Sequence, residues 1–464
     1  MHDQQNLSSA HWTRSRIIGA WALVQAILIS VLVFWPFAKG DPLYYFRNSV
    51  HEPTKPLHGA VPLTEYPDAG LWPVRAIVWL CGDHTHTFLV VFSGFLILLS
   101  TAFFFYLLNQ SHRAALFWTA FCAATGPIAY SRLDLIPGLL VAIAAAALFN
   151  HPKVASALLG FAAMSKLWPA ALAAGLVDKW NRSTTWVRLA TFAGTMVVVG
   201  LVTVLTSGWD RLVSPLTYQD VRGLQIESVL ATPLILAAAF APGHWHIAKA
   251  PSKSFEIFGP GVDQMLTLST ILMLATMLFG LGWALWRFIY DGWSPRSTSA
   301  FLLTMVLLLI VSNKVFSPQY VVWFGPVLAV MIAKLPAAAP SEQGTPAPLS
   351  RSMVFGKHEV LGYLPGLSVL AAALTMVVFP FTYNLLFEGP HWFAALVLTA
   401  RNILMVVITF LTLRLAIREG FKDLPTTETV GVLKNNPLTN SPKNGTERFD
   451  RVKATFRRSQ TPTQ

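Results

Sequence analysis

Charge and cysteine are scarce in this chain: 12% of its 464 residues are charged, and two are cysteine. Cys81 and Cys122 alone make neither a disulfide framework nor a thiolate metal pattern. Acidic residues are fewer still, 22 against 34 Lys and Arg, for a net charge of +12. In a soluble chain that excess would point to nucleic acid. Here no nucleic-acid partner is expected, because many basic residues lie in short loops between apolar runs and in a basic tail, as cytoplasmic retention of Lys and Arg requires. No repeat of solenoid length, no soluble catalytic domain and no nucleotide site is visible. The apolar runs are continuous rather than alternating, which excludes a transmembrane β-barrel. No Ala-x-Ala-type site follows the first run, so an uncleaved span is expected there.

What fills the chain is hydrocarbon: 54% of residues are apolar. Runs of spanning length include Ile17–Phe37, Phe88–Leu108, Leu266–Leu285, Val360–Pro380 and Trp392–Leu413. The expected fold class is an all-α polytopic membrane protein. Basic clusters at alternating ends of the runs predict both termini in the cytoplasm and roughly 11 to 13 membrane segments. The pieces Val154–Ser165 and Leu167–Val177 are short for a bilayer, as is Val229–Phe240, which reads as re-entrant. The chain then divides into a cytoplasmic N-terminus (1–16), a transmembrane domain (17–415) and a basic tail (416–464) expected to be disordered. Outer loops fall at about 38–86 and 207–264, with a cytoplasmic linker at 336–357. Both loops mix aromatic, apolar and polar residues, the composition of helices lying on a membrane surface.

With this topology Arg132, Lys166, Arg222 and Lys314 stand on the wrong face. A cation near hydrocarbon costs about 3 kcal/mol on insertion scales unless it snorkels or finds a partner. Four on one face read as ligands for a shared anion, foremost a lipid phosphate; Arg offers a fork and Lys a point charge. Plainer readings stand beside this one: Arg132 as partner of Asp134, and Arg222 as partner of Asp220 or Glu227. Lys166 before Pro169, and Lys314 before Pro318, mark breaks where non-helical backbone at membrane depth would line a cavity.

Asp41 lies four residues past the first run, in Asp41-Pro42-Leu43-Tyr44-Tyr45. A carboxylate at the membrane exit can meet both a lipid-borne donor and an extracytoplasmic acceptor, as a general base must. The alternative is an Asp that merely starts a helix before Pro42. Asp68 and Asp134 are rival carboxylates, the first readable as a helix cap and the second as an ion-pair partner. His244 and His246, two residues apart with no third ligand nearby, carry no expectation of a metal.

These segments resemble glycosyltransferase family 87, integral membrane enzymes of the GT-C superfamily found in actinobacterial cell-envelope assembly. The likeness rests on Asp41-x-x-Tyr44-Tyr45, Arg132-x-Asp134-x-x-Pro137, Lys166-x-Trp168-Pro169, Arg222 to Ser228 (Arg-Gly-Leu-Gln-Ile-Glu-Ser) and Ser317-Pro318-Gln319-Tyr320. It implies a GT-C fold and transfer of a sugar, usually mannose and sometimes arabinose, from a polyprenyl-phosphate donor. The acceptor would be a cell-envelope glycolipid or lipoglycan, of lipomannan or phosphatidylinositol mannoside type. Asp41 is then the general base of an inverting displacement, and Arg222, Lys314, Lys166 and Arg132 the donor-phosphate ligands. Tyr44, Tyr45, Tyr66, Asp68, Asp134, Gln225, Glu227, Gln319 and Tyr320 are the expected substrate contacts. Many members of that family carry Tyr-Pro-Pro late in the first outer loop where this chain has Tyr66-Pro67-Asp68, which leaves acceptor binding there open. No metal or other cofactor is expected, since the cations would stabilise the leaving phosphate. The expected location is the plasma membrane, multi-pass, with the site on the extracytoplasmic side. The rival from another class is a lipid-linked sugar flippase, which the absence of an inverted repeat disfavours.

Overall fold

The computed structural model describes residues 13–35, 39–50, 63–219, 222–241, 243–334 and 360–423. The linker expected at 336–357, the tail beyond Asp423 and Asp220 lie outside them. In chain order the helices are α1 (Arg14–Phe34), α2 (Gly40–Val50), α3 (Asp68–Cys81), α4 (Thr85–Gln110), α5 (His112–Thr125), α6 (Leu135–Ala147), α7 (Pro152–Ser165) and α8 (Ser183–Ser207). There follow α9 (Trp209–Thr217), α10 (Thr232–Phe240), α11 (Val262–Ile289), α12 (Pro295–Val311), α13 (Val321–Lys334), α14 (Val360–Met376), α15 (Asn384–Phe387) and α16 (Trp392–Lys422).

Among the described residues six helical stretches are long and apolar enough to cross a membrane: α1, α4, α8, α11, Gly362–Phe381 and α16. Their outer faces carry exposed Leu23, Leu98, Leu205, Ile271 and Phe410, side chains that water would not tolerate in such density. The chain is an all-α polytopic membrane protein. Leu135–Ala147 and Pro295–Val311 are apolar but shorter, and the nine residues of α10 reach only about 14 Å. One departure from all-α is a small antiparallel hairpin, β1 (His246–Lys249) with β2 (Phe255–Phe258), in the second expected outer loop. At the other end of the chain, residues 416–422 continue α16 rather than beginning a tail.

Local sequence accounts for the breaks. Thr13 and Ser294 accept backbone N–H groups at the starts of α1 and α12. Helix α7 stops at Ser165; Lys166 turns extended, and Trp168–Leu176 continues as a 3-10 helix with Pro169 in its first turn. Gly138 on α6 lies against the Val322 carbonyl of α13, and Gly70 on α3 against the Ser165 carbonyl of α7, contacts any Cβ would obstruct.

The bundle has two chemically different ends. At one, basic loops are tied by Arg182 to Asp291 (2.7 Å), Arg287 to Asp423 (3.1 Å) and Arg296 to Glu419 (3.2 Å). Helix α8 leaves that end and travels about 37 Å before Ser207 meets Asp68 at the other. The second end holds the hairpin, α2, and the misplaced cations.

Candidate functional site

A cavity of about 640 Å³ opens at this second end. Its wall is assembled from segments remote in sequence: Asp41 and Tyr44 on α2, Glu65 and Tyr66 before α3, Arg132 before α6, Arg222, Gln225 and Glu227 after α9, and Gln319 before α13. The hairpin closes one side with Lys249 and Lys253, and Phe379 and Tyr383 add an aromatic flank.

Asp41 sits in the first turn of α2, its side chain 35% exposed. Its carboxylate forms an ion pair with the Arg132 guanidinium. Arg132 is buried, which brings its pKa down to about 10 against the pull of Asp134 and Glu227. The short-range pairing of Arg132 with Asp134 does not form: Asp134, fully buried, is bonded by Lys166 Nζ (3.1 Å) and Trp323 Nε1 (2.8 Å). Lys166 also lies over the Tyr66 ring at 4.5 Å and lines a small cleft beside the cavity rather than the cavity itself. Tyr66 in turn shares a 3.0 Å hydroxyl contact with buried Tyr45.

The segment from Arg222 to Ser228 is pinned on both sides. Gln225 N–H donates to the Lys314 carbonyl (3.0 Å), and Phe316 N–H donates to Gln225 Oε1 (2.7 Å). Gln225 Nε2 donates to Ser317 Oγ at 3.3 Å, so this glutamine fixes the break before α13 rather than only facing a ligand. Ile226 N–H and Ile257 N–H bond across to Phe255 and Leu224, which ties the hairpin on as an added layer. Arg222 stacks over Tyr218 at 4.9 Å and lies beside Tyr320. Glu227 pairs not with Arg222 but with Arg401 of α16 at 3.6 Å. Burial pushes the Glu227 carboxyl up to about 7, with Arg401 and Arg132 opposing.

Of the expected site residues, Asp41, Tyr44, Tyr66, Arg132, Arg222, Gln225, Glu227 and Gln319 line the cavity, whereas Tyr45, Asp134, Lys166, Lys314 and Tyr320 do not. Asp68 is buried as a structural node, bonded by Arg75 (2.6 Å), Trp72 (3.0 Å) and Ser207 (3.3 Å) and paired with Arg211 (3.4 Å). Burial works against its charge, yet the bonds from Arg75 and Trp72 hold it below the usual carboxylate range.

Sequence reasoning missed Glu65, Lys249, Lys253, Tyr383 and Arg401. A signal existed for the cations. In the topology expected from the sequence Lys249 and Lys253 fall in the same outer loop as Arg222, and Arg401 is the single charge in the run Trp392–Leu413. In comparisons with family models, curated proteins and solved structures, nothing matches this chain.

Proposed function

We propose that the chain is a membrane glycosyltransferase that moves a sugar, mannose foremost, from a polyprenyl-phosphate donor to a hydroxyl of a cell-envelope glycolipid or lipoglycan. One observation carries this reading: Asp41 shares a single cavity with Arg132 and Arg222 at the end of the bundle remote from the basic loops. A base and the cations for a leaving phosphate are what displacement at an anomeric carbon requires. In this reading the acceptor hydroxyl gives its proton to Asp41 as its oxygen bonds the anomeric carbon. The carbon–oxygen bond to the lipid phosphate breaks with inversion, and Arg222 and Arg132 stabilise the charge left on the phosphate. In this reading Lys314 is a further cation for the phosphate, and its carbonyl accepts the Gln225 N–H on the cavity wall.

The lipid chain would lie against the apolar spans with only phosphate and sugar in the cavity. The cavity would face the extracytoplasmic side of the plasma membrane, and the arrangement would be a GT-C one. Purified protein in proteoliposomes, given polyprenyl-phosphate mannose and a glycolipid acceptor, tests the reading. Appearance of a mannosylated acceptor is the expected result, and translocation of the donor without sugar transfer would replace the enzyme with a flippase.

A further inference from the structure

We infer that the hairpin carries a second phosphate-binding subsite, formed by Lys249 and Lys253 on the cavity wall. Its existence rests on the cavity alone, and the source of its phosphate rests on the transferase reading above. The cavity wall holds the cations Arg132, Arg222, Lys249 and Lys253 and the carboxylates Asp41, Glu65 and Glu227. Each carboxylate is already engaged. Asp41 is paired with Arg132, Glu227 with Arg401, and Glu65 accepts the Tyr44 hydroxyl at 2.7 Å. The hairpin's own acid, Glu256, is buried and taken up by Ser252 (2.5 Å) and Ser254 (3.0 Å) instead of by the lysines. Among the described residues no carboxylate comes within ion-pair distance of either hairpin ammonium. With Glu227 set against Arg401, the four wall cations exceed Asp41 and Glu65 by two charges; a donor phosphodiester brings one negative charge, and one positive charge remains on the hairpin side.

The lysines are also positioned in advance. Lys253 occupies the left-handed region at φ +63°, an unusual place for a residue with a side chain, and such strain concentrates at functional sites. Its ammonium donates to the Tyr44 hydroxyl at 2.5 Å, and Tyr218 secures the same turn through the Ser252 carbonyl at 2.6 Å. The turn is thus held against the cavity, with Lys249 and Lys253 on its wall. A phosphate on the acceptor headgroup, or a second phosphate on the donor, is the matching ligand.

Calorimetric titration of the full-length protein in lipid nanodiscs with inorganic phosphate counts the sites. Wild type is expected to bind two phosphates. Lys249→Gln/Lys253→Gln should lose one and keep the other within about twofold in affinity, whereas Arg222→Gln should lose the other. A phosphate count unchanged by the double lysine substitution, in a protein of unaltered thermal stability, would overturn the subsite; a single wild-type phosphate lost in that variant would keep the subsite and remove the Arg222 one. Pyrophosphate then separates the sources. One molecule filling both positions assigns the second phosphate to the donor, and two molecules assign it to the acceptor. In the acceptor case the double variant should raise the KM of a phosphate-bearing acceptor about tenfold, as charge-assisted bonds of this type are worth, and leave the donor KM unchanged. If no acceptor is glycosylated by wild type, the transferase reading fails while the phosphate count still decides the subsite.

Discussion

Arg132 and Asp41 meet as an ion pair on the wall of the cavity, so the proposed base and a proposed phosphate ligand hold each other before substrate arrives. A phosphodiester entering the cavity competes for the guanidinium, because phosphate and carboxylate occupy the same fork of donors. Release of Arg132 would leave the Asp41 carboxylate open to the acceptor hydroxyl. Donor should therefore bind before acceptor. Steady-state kinetics with Arg132→Gln should show the donor KM raised roughly tenfold and the acceptor KM little changed. A rise confined to the acceptor KM would place Arg132 on the wrong substrate.

Lys166 offers a contrasting case. Asp134 is fully buried with Lys166 as its only ion-pair partner among the described residues. Removing one member of a buried pair leaves an uncompensated charge and costs about 3–5 kcal/mol. Lys166→Met should lower thermal stability accordingly, and adding Asp134→Asn should recover part of the loss. A Lys166→Met protein with wild-type stability and weakened donor binding would instead make Lys166 a phosphate ligand in its own right.

Glu227 gives the chain a pH dependence of stability. Its carboxyl, ordinarily near 4.5, is pushed up to about 7 by burial, so across that window the folded chain keeps a proton that the unfolded chain has released. The stabilisation is full below the window and is lost as pH rises through it. Thermal unfolding followed by tryptophan fluorescence should show the wild-type Tm falling between about pH 5 and pH 8 by a few degrees more than in Glu227→Gln. Parallel pH profiles for the two proteins would remove Glu227 from that role.

Much of the membrane architecture was legible because lipid imposes long unbroken apolar helices, and α1, α4, α11, Gly362–Phe381 and α16 announce themselves in this way. Asp41 and Arg222 were legible for the complementary reason: a charge at the hydrocarbon boundary needs a purpose. The pairings were not. Asp134 lies two residues from Arg132 yet bonds Lys166 and Trp323, since neighbours two apart at a helix start diverge in direction. Arg401 reaches the Glu227 carbonyl across 174 residues of chain, a contact that only the packing of α16 creates. The hairpin was hidden as well. Each strand is four residues long, too short for alternation to register, and its turn contains Pro251 and two serines.

The account depends most directly on Asp41, and one substitution examines it. Asp41→Asn keeps the side-chain shape and removes the proton acceptor together with the charge partner of buried Arg132, so the protein should insert normally with a modest loss of thermal stability. Turnover in membranes supplied with polyprenyl-phosphate mannose and acceptor should fall by roughly 10²- to 10⁴-fold, the span a general base contributes, with the donor still bound. Near-normal turnover in that variant would contradict the account.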